Sequence, residues 1–359
     1  LYTYQLQSRK LTSFDTRRNG LPHNTIYSII RTRDNQIYVG TYNGLCRYIP
    51  SNGKFEGIPL PVHSSQSNLF VNSLLEDTVR QCIWIGTEGY LFQYFPSTGQ
   101  MKQTEAFHNN SIKSLALDGN GDLLAGTDNG LYVYHNDTTP LQHIIHDSRN
   151  IQSLTNNIIW NIFADQEHNI WLGTDYGISL SRYNSALQFI PISQITGTGD
   201  GNQFYSLFRD SKGFYWFGGT NGLIRFTDPA GERHDTIWYR MGDKTYPLSH
   251  NRIRHIYEDK EQQLWIATDG SINRYDYATR QFIHYNIVDS TGMYNTNWTY
   301  YMFEDTAGQL WISTCLGGIF VVDKHKLMQS ASGQYVAEQN YSVHNGLSGM
   351  FINQIIPDN

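Results

Sequence analysis

One short pattern returns seven times along the chain: a hydrophobic or aromatic residue, a second apolar residue, a small residue, usually a Thr, and then a turn. The copies read YVGTYNGL (38–45), WIGTEGYL (84–91), LAGTDNGL (124–131), WLGTDYGI (171–178), WFGGTNGL (216–223), WIATDGSI (265–272) and WISTCLGGI (311–319). Their first residues stand 46, 40, 47, 45, 49 and 46 positions apart, a period close to the length of a four-stranded propeller blade. A repeat of this kind admits few folds, because each unit is a small sheet whose apolar face only a neighbouring unit covers. The pattern predicts an all-β chain, a seven-bladed β-propeller with four-stranded antiparallel blades.

Upstream of each anchor lies a second register: IYSIIRT, VNSLLED, IKSLALD, IWNIFAD, FYSLFRD, IRHIYED and TYYMFED, six of which end in Asp. Each blade then runs from strand A through an Asp-bearing turn to strand B, which carries the anchor, and on through a Gly-containing turn to strand C and an outer strand D. The Asp carboxylates are expected to accept turn N–H groups. Trp84, Trp171, Trp216, Trp265 and Trp311, at equivalent starts of strand B, are expected to pack between blades, and the small residues Gly40, Gly86, Gly126, Gly173, Gly218, Ala267 and Ser313 to fit the narrow space near the axis. Strand D is the least regular, and QYVAE (334–338) is its best match in the last repeat. Residues 1–340 are thus assigned to the propeller, and 341–359 to the lead-in and first strand of a following repeat or second propeller. Residues 1–14 resemble strands C and D, and either complete a terminal blade or belong to an eighth, incomplete one.

The formal charge of −6 and the lack of any Lys/Arg run argue against nucleic-acid contact. No apolar stretch is long enough to span a bilayer. Cys46, Cys82 and Cys315 lack metal-ligand spacing; they read as packing residues, with a Cys46–Cys82 disulfide as the alternative. The acids recur at turn positions and the histidines are scattered, so no acid/base pair, metal set or cofactor site is expected.

The combination of NGLPHNTIYSII with YVGTYNGLCRY, echoed in NNIIWNIFADQEHNIWLGTDYGISLSRY and NGLSGMFINQII, resembles the two-component regulator propeller family over nearly the whole chain. The resemblance implies the periplasmic sensor region of a Bacteroidetes hybrid two-component histidine kinase, part of an inner-membrane protein concerned with polysaccharide utilisation. It further implies an adjacent propeller and an immunoglobulin-like domain in the parent, a homodimer of that parent, and kinase chemistry outside these residues. An oligosaccharide is the implied ligand. Alternation of the strands gathers the D–A and B–C loops on one face, where sugar binding calls for aromatic rings and polar side chains. The candidates there are Tyr42, Glu88, Asp128, Asp175, Tyr176, Asp269, Tyr294, Asn297 and Trp298. A carbohydrate-active enzyme and a non-catalytic assembly scaffold are the competing readings.

Overall fold

The computed structural model describes residues 1–5, 8, 10–61, 69–104, 110–135, 142–150, 152–183, 189–191 as backbone, 203–227, 236–245, 247–330 and 334–356. The chain forms two compact units, Leu1–Gln194 and Ile195–Asn359. Among the described residues there are six four-stranded sheets, one five-stranded sheet and one two-stranded sheet. The first unit holds the sheets of repeats one to four and the second those of repeats five to seven. Each is an antiparallel meander in which strands A, B, C and D pair in order. The first is Ile26–Arg31, Ile37–Thr41, Gly44–Ile49 and Lys54–Ile58. Within each unit the A strands of successive sheets lie side by side.

The anchors form the B strands because each offers an unbroken run that is buried on both faces, as in Ile170–Thr174 and Leu264–Thr268. The five repeated tryptophans are between 0% and 4% exposed, so their expected packing role holds. Each indole also makes a directed bond. Trp84 Nε1 donates to Asp77 Oδ2 at 3.1 Å, Trp171 to Asp165 at 2.9 Å, Trp216 to Asp210 at 2.8 Å, Trp265 to Asp259 at 2.9 Å and Trp311 to Asp305 at 2.8 Å. The other oxygen of the same carboxylate receives turn N–H groups: Asp165 Oδ1 takes those of Glu167 and Asn169, and Asp305 Oδ1 those of Ala307 and Gln309. The predicted turn-capping aspartates are therefore shared between turn and core.

Close approach of neighbouring sheets explains the small residue of the anchor. A Cβ at Gly126 would lie 2.7 Å from Ile159 Cγ2, and one at Gly218 would lie 2.5 Å from Ile253 Cγ2. Those isoleucines open the next A strand in each case, so the glycine is the seat of the following sheet.

Three details depart from the sequence reading or refine it. The outer strand of the last repeat is Gln339–Tyr341, antiparallel to Ile319–Asp323. QYVAE does not take that place: Gln334–Val336 runs parallel to Asn286–Val288 and becomes the fifth strand of the sixth sheet. A short helix, Lys324–Gln329, capped by the Asp323 carboxylate on Lys326 N–H, leaves the seventh sheet just before these strands. The strand Gln281–Val288 is long enough to pair with Asp276 to Ile272 at one end and with Gln334–Val336 at the other. The Cys46–Cys82 disulfide is absent: both are free, buried thiols, and burial pushes that of Cys46 up to about 12. The N-terminal segment forms a hairpin, Tyr2–Gln5 with Lys10–Ser13, and Phe14 at its base packs with Val39, Cys46 and Phe55 of the first sheet.

The helix brings Lys324 inward. Its ammonium is fully buried, 2.8 Å from Glu304, 3.2 Å from Asp259 and 3.7 Å from Glu261, and so joins the A–B turn of the sixth sheet to the A strand of the seventh.

Two substitutions test this account. Trp171→Phe keeps most of the packing and removes the bond to Asp165, and is expected to cost about 1–3 kcal/mol; Trp171→Ala adds a cavity and is expected to cost about 3–5 kcal/mol, both read by urea denaturation. Asp77 tests the charge. Burial raises its pKa, but bonds from Arg80 and Trp84 outweigh this and hold it below 3.8. A depressed folded pKa means stability that is complete above the unfolded value and lost as pH falls through the folded one. Asp77→Asn should accordingly cost about 1.5–3 kcal/mol at neutral pH, and its gap from the parent should narrow progressively below about pH 4.

Candidate functional site

The anchor Thr shapes the turns that carry the predicted site. Thr127 Oγ1 donates to Gly130 O at 2.8 Å and accepts from Asn129 N–H at 2.9 Å; Thr174 does the same with Gly177 and Tyr176, and Thr268 with Ser271 and Gly270. The B–C turn is thereby closed on its own strand. The residue after the Thr also donates its N–H to the residue preceding strand A: Tyr42 to Thr25, Asp128 to Ser111, Asp175 to Ile158 and Asp269 to Arg252.

Each A strand carries a β-bulge at the same place. The register slips between Ile26 and Ser28, Val71 and Ser73, Ile112 and Ser114, Ile159 and Asn161, Phe204 and Ser206, Ile253 and His255, and Thr299 and Tyr301. The bulged residues are Tyr27, Asn72, Lys113, Trp160, Tyr205, Arg254 and Tyr300. A bulge re-aims a side chain out of the ladder. None of the seven is buried, whereas the residue before each is buried in six repeats and half-buried in the first. In six repeats the bulged residue stands 15 positions before the one that opens the B–C turn, as Trp160 does before Asp175 and Arg254 before Asp269.

The structure shows these pairs as contacts. Trp160 Nε1 donates to Asp175 Oδ1 at 3.0 Å, and the Lys113 ammonium lies 4.6 Å from the Trp160 ring centre. Arg254 makes two bonds to Asp269, Nε to Oδ1 at 2.7 Å and Nη2 to Oδ2 at 3.2 Å, with its guanidinium 4.6 Å from the Tyr300 ring centre. Position in the A-strand register was the signal that sequence reasoning left unused: the second residue reads Tyr, Asn, Lys, Trp, Tyr, Arg and Tyr between neighbours that are mostly apolar or small.

In the first unit, Tyr42 packs against His23 and Phe70, with ring centres 4.8 and 4.2 Å apart, and Phe70 in turn meets Tyr27 edge-on. Glu88 and Asp128 both meet Ser111, the first through a backbone bridge and the second by accepting its N–H at 3.1 Å; Asn72 donates to the same serine's hydroxyl. Asp175 and Tyr176 share one turn, with Tyr176 58% exposed.

In the second unit, Asp269 and Trp298 come together: Trp298 N–H donates to Asp269 O at 3.0 Å. Asn297 is exposed beside them. Tyr294 stands apart from this row, with its N–H on Asp289 Oδ1, lining a groove of about 510 Å³ bounded by Asp289, Asn340 and His344. Among the described residues no group of three or more His, Cys, Asp or Glu is placed to hold a metal ion.

Trp298 holds φ at 55°, a left-handed conformation that costs an L-residue about 1–2 kcal/mol. Trp298→Gly is therefore expected to be about 1 kcal/mol more stable than Trp298→Ala, measured by denaturant midpoint at constant slope.

Four segments, 20–43, 153–176, 198–221 and 247–270, match the two component regulator propeller family. Every one spans a bulged residue and the opening of its B–C turn. Histidine kinase P4 of Formosa agariphila is 28% identical over 303 residues, 75% of this chain and 20% of that protein. The solved extracellular domain of a Bacteroides thetaiotaomicron protein assigned as a hybrid two component system is 97% identical over 99% of this chain, at a TM-score of 0.49. This chain spans 48% of that domain's length. Virginiamycin B lyase from Staphylococcus aureus shares the fold at 14% identity and a TM-score of 0.54, over 81% of this chain and 92% of the lyase. With its matched segments recurring through both units on the same strand–turn–strand frame, the chain carries two component regulator propeller repeats.

Proposed function

We propose that this chain is a sensor propeller in the extracellular or periplasmic part of a hybrid two-component signalling protein, and that its bulge-and-turn face binds an oligosaccharide. In this reading the seven sheets close as seven blades over residues 1–340, and 341–359 lead into a following repeat or second propeller. That places the chain in the periplasm as part of an inner-membrane protein, next to a second propeller and an immunoglobulin-like domain in a homodimeric parent. Its role is to report polysaccharide breakdown products to the parent's kinase.

The observation that carries the reading is the seven-fold bulge. A buried scaffold repeats with little change, while one part-exposed position per repeat takes aromatic, amide or cationic side chains beside acids and hydroxyls of the B–C turns. Sugars ask for this mixture, since rings cover their apolar faces and fixed polar groups meet their hydroxyls. Tyr42, Glu88, Asp128, Asp175 and Tyr176 of the first unit, and Asp269, Asn297 and Trp298 of the second, then act with the bulged residues of their own unit, and Tyr294 contributes through its neighbouring groove. Sensing needs no catalytic pair, and this face ties Asp175 to Trp160 and Asp269 to Arg254.

Calorimetric titration of the complete extracellular region with an oligosaccharide panel tests the reading. At least one member should bind without forming product, and the double variant Tyr205→Ala/Tyr300→Ala within the second unit should weaken it tenfold or more, about 1.4 kcal/mol. Unchanged affinity in the double variant assigns binding elsewhere; product formation makes the protein an enzyme.

A further inference from the structure

We propose that Arg252, Arg254, Asp269, Trp298 and Tyr300 form a subsite for a carboxylate-bearing sugar, with the Trp298 indole as its floor and the Arg252 guanidinium as its counter-ion. The proposal rests on the oligosaccharide reading of this face and names the sugar class that the second unit selects.

A line of backbone hydrogen bonds builds the row. Asp269 N–H donates to Arg252 O at 3.2 Å, Trp298 N–H to Asp269 O at 3.0 Å, and Cys315 N–H to Trp298 O at 3.0 Å. The middle bond crosses from the sixth repeat to the seventh. Trp298 is thus gripped through both its N–H and its C=O while holding a left-handed φ of 55°, and its side chain is 46% exposed. Such strain persists only where the surroundings over-determine it, and ligand clamps are a common setting. A large aromatic fixed this firmly and left open is suited to stacking against a sugar ring.

Charge then selects the ligand. Asp269 has a side chain only 8% exposed, and both of its oxygens are engaged by Arg254. Arg252 Nε lies 3.8 Å from the same carboxylate, and the side chain is 46% exposed. Two guanidiniums against one carboxylate leave one net positive charge, on a chain whose formal charge is −6. Arg254 is held by the bidentate pair and the Tyr300 ring, so Arg252 is the cation turned to solvent.

Hydrogen-bond capacity points the same way. The phenols of Tyr205 and Tyr300 are protonated at neutral pH, as any ordinary phenol is, and burial raises both pKa values further. Guanidiniums and phenols make the row rich in donors, while its one acid is already engaged. A neutral sugar offers these donors only uncharged hydroxyl oxygens. A uronate supplies a planar acceptor that matches the guanidinium fork.

The test titrates the complete extracellular region with oligogalacturonate, glucuronate-bearing xylo-oligosaccharide and alginate oligomers, each paired with its carboxyl-reduced counterpart. At least one acidic member should bind tenfold or more tighter than its counterpart. Arg252→Gln should abolish that ratio while leaving the weaker binding of the reduced sugar, and Trp298→Ala should weaken both forms. Thermal melting at the parental temperature confirms that Arg252→Gln is folded. If neutral oligosaccharides bind, no acidic member is preferred and Arg252→Gln changes nothing, the acidic subsite is overturned and the sensor reading stands. If no oligosaccharide of either class binds the complete region, both fall.

Discussion

The bond between a buried indole N–H and an aspartate is the constraint on which the sheets depend. Aspartate is a costly residue to bury, and a carboxylate so placed must have its oxygens satisfied. In Asp165, Asp210, Asp259 and Asp305 one oxygen closes the A–B turn and the other meets the tryptophan that opens strand B. The turn cannot shift without stripping the core, and the core cannot shift without opening the turn. Repeats one and three lack the tryptophan, with Tyr38 and Leu124 in its place. In the third, His135 bonds Asp122 instead of an indole bonding Asp118. The scaffold tolerates two such exceptions among seven sheets.

Rigidity at the turns leaves freedom at the bulges. A bulged residue is exempt from the ladder's alternation, so its side chain can change without altering which neighbours are buried. Tyr27, Asn72, Lys113, Trp160, Tyr205, Arg254 and Tyr300 share a backbone position but span five residue types. Threonine-closed B–C turns set a second residue beside two of them, Asp175 at Trp160 and Asp269 at Arg254. Recognition chemistry can thus vary along the face while the sheets beneath it stay the same, a division of labour seen wherever loops on a rigid frame bind ligands.

Much of the fold was legible because burial imposes a period. The seven anchors and the A-to-C strand order follow from residues that are buried in every repeat, and the capping aspartates from a turn position that recurs in six. The D strands were harder to place, because one edge is unpaired and the pattern weakens there. QYVAE and the segment containing Gln339–Tyr341 look equally strand-like; the helix at Lys324–Gln329 and the long strand Gln281–Val288 decide between them, and neither is visible in a five-residue window. The site was half legible. Turn residues announce themselves through the Gly, Asn and Asp around them, which led to Asp175 and Asp269. A bulge adds one residue to a strand without changing its composition, so Trp160 and Arg254, which bond those acids, lay hidden within apparently ordinary strands. Trp298 is legible as a loop aromatic, but its left-handed backbone is set by contacts with Asp269 and Cys315.

Lys324 links this frame to motion. Its ammonium has no access to water and is held by Asp259, in the turn after the sixth A strand, and by Glu304, the last residue of the seventh. Sliding one of these sheets past the other would strand a cation in a medium unable to solvate it, a penalty far above thermal energy. The two sheets are therefore fastened to one another at this rim, and neither shifts there without baring a charge.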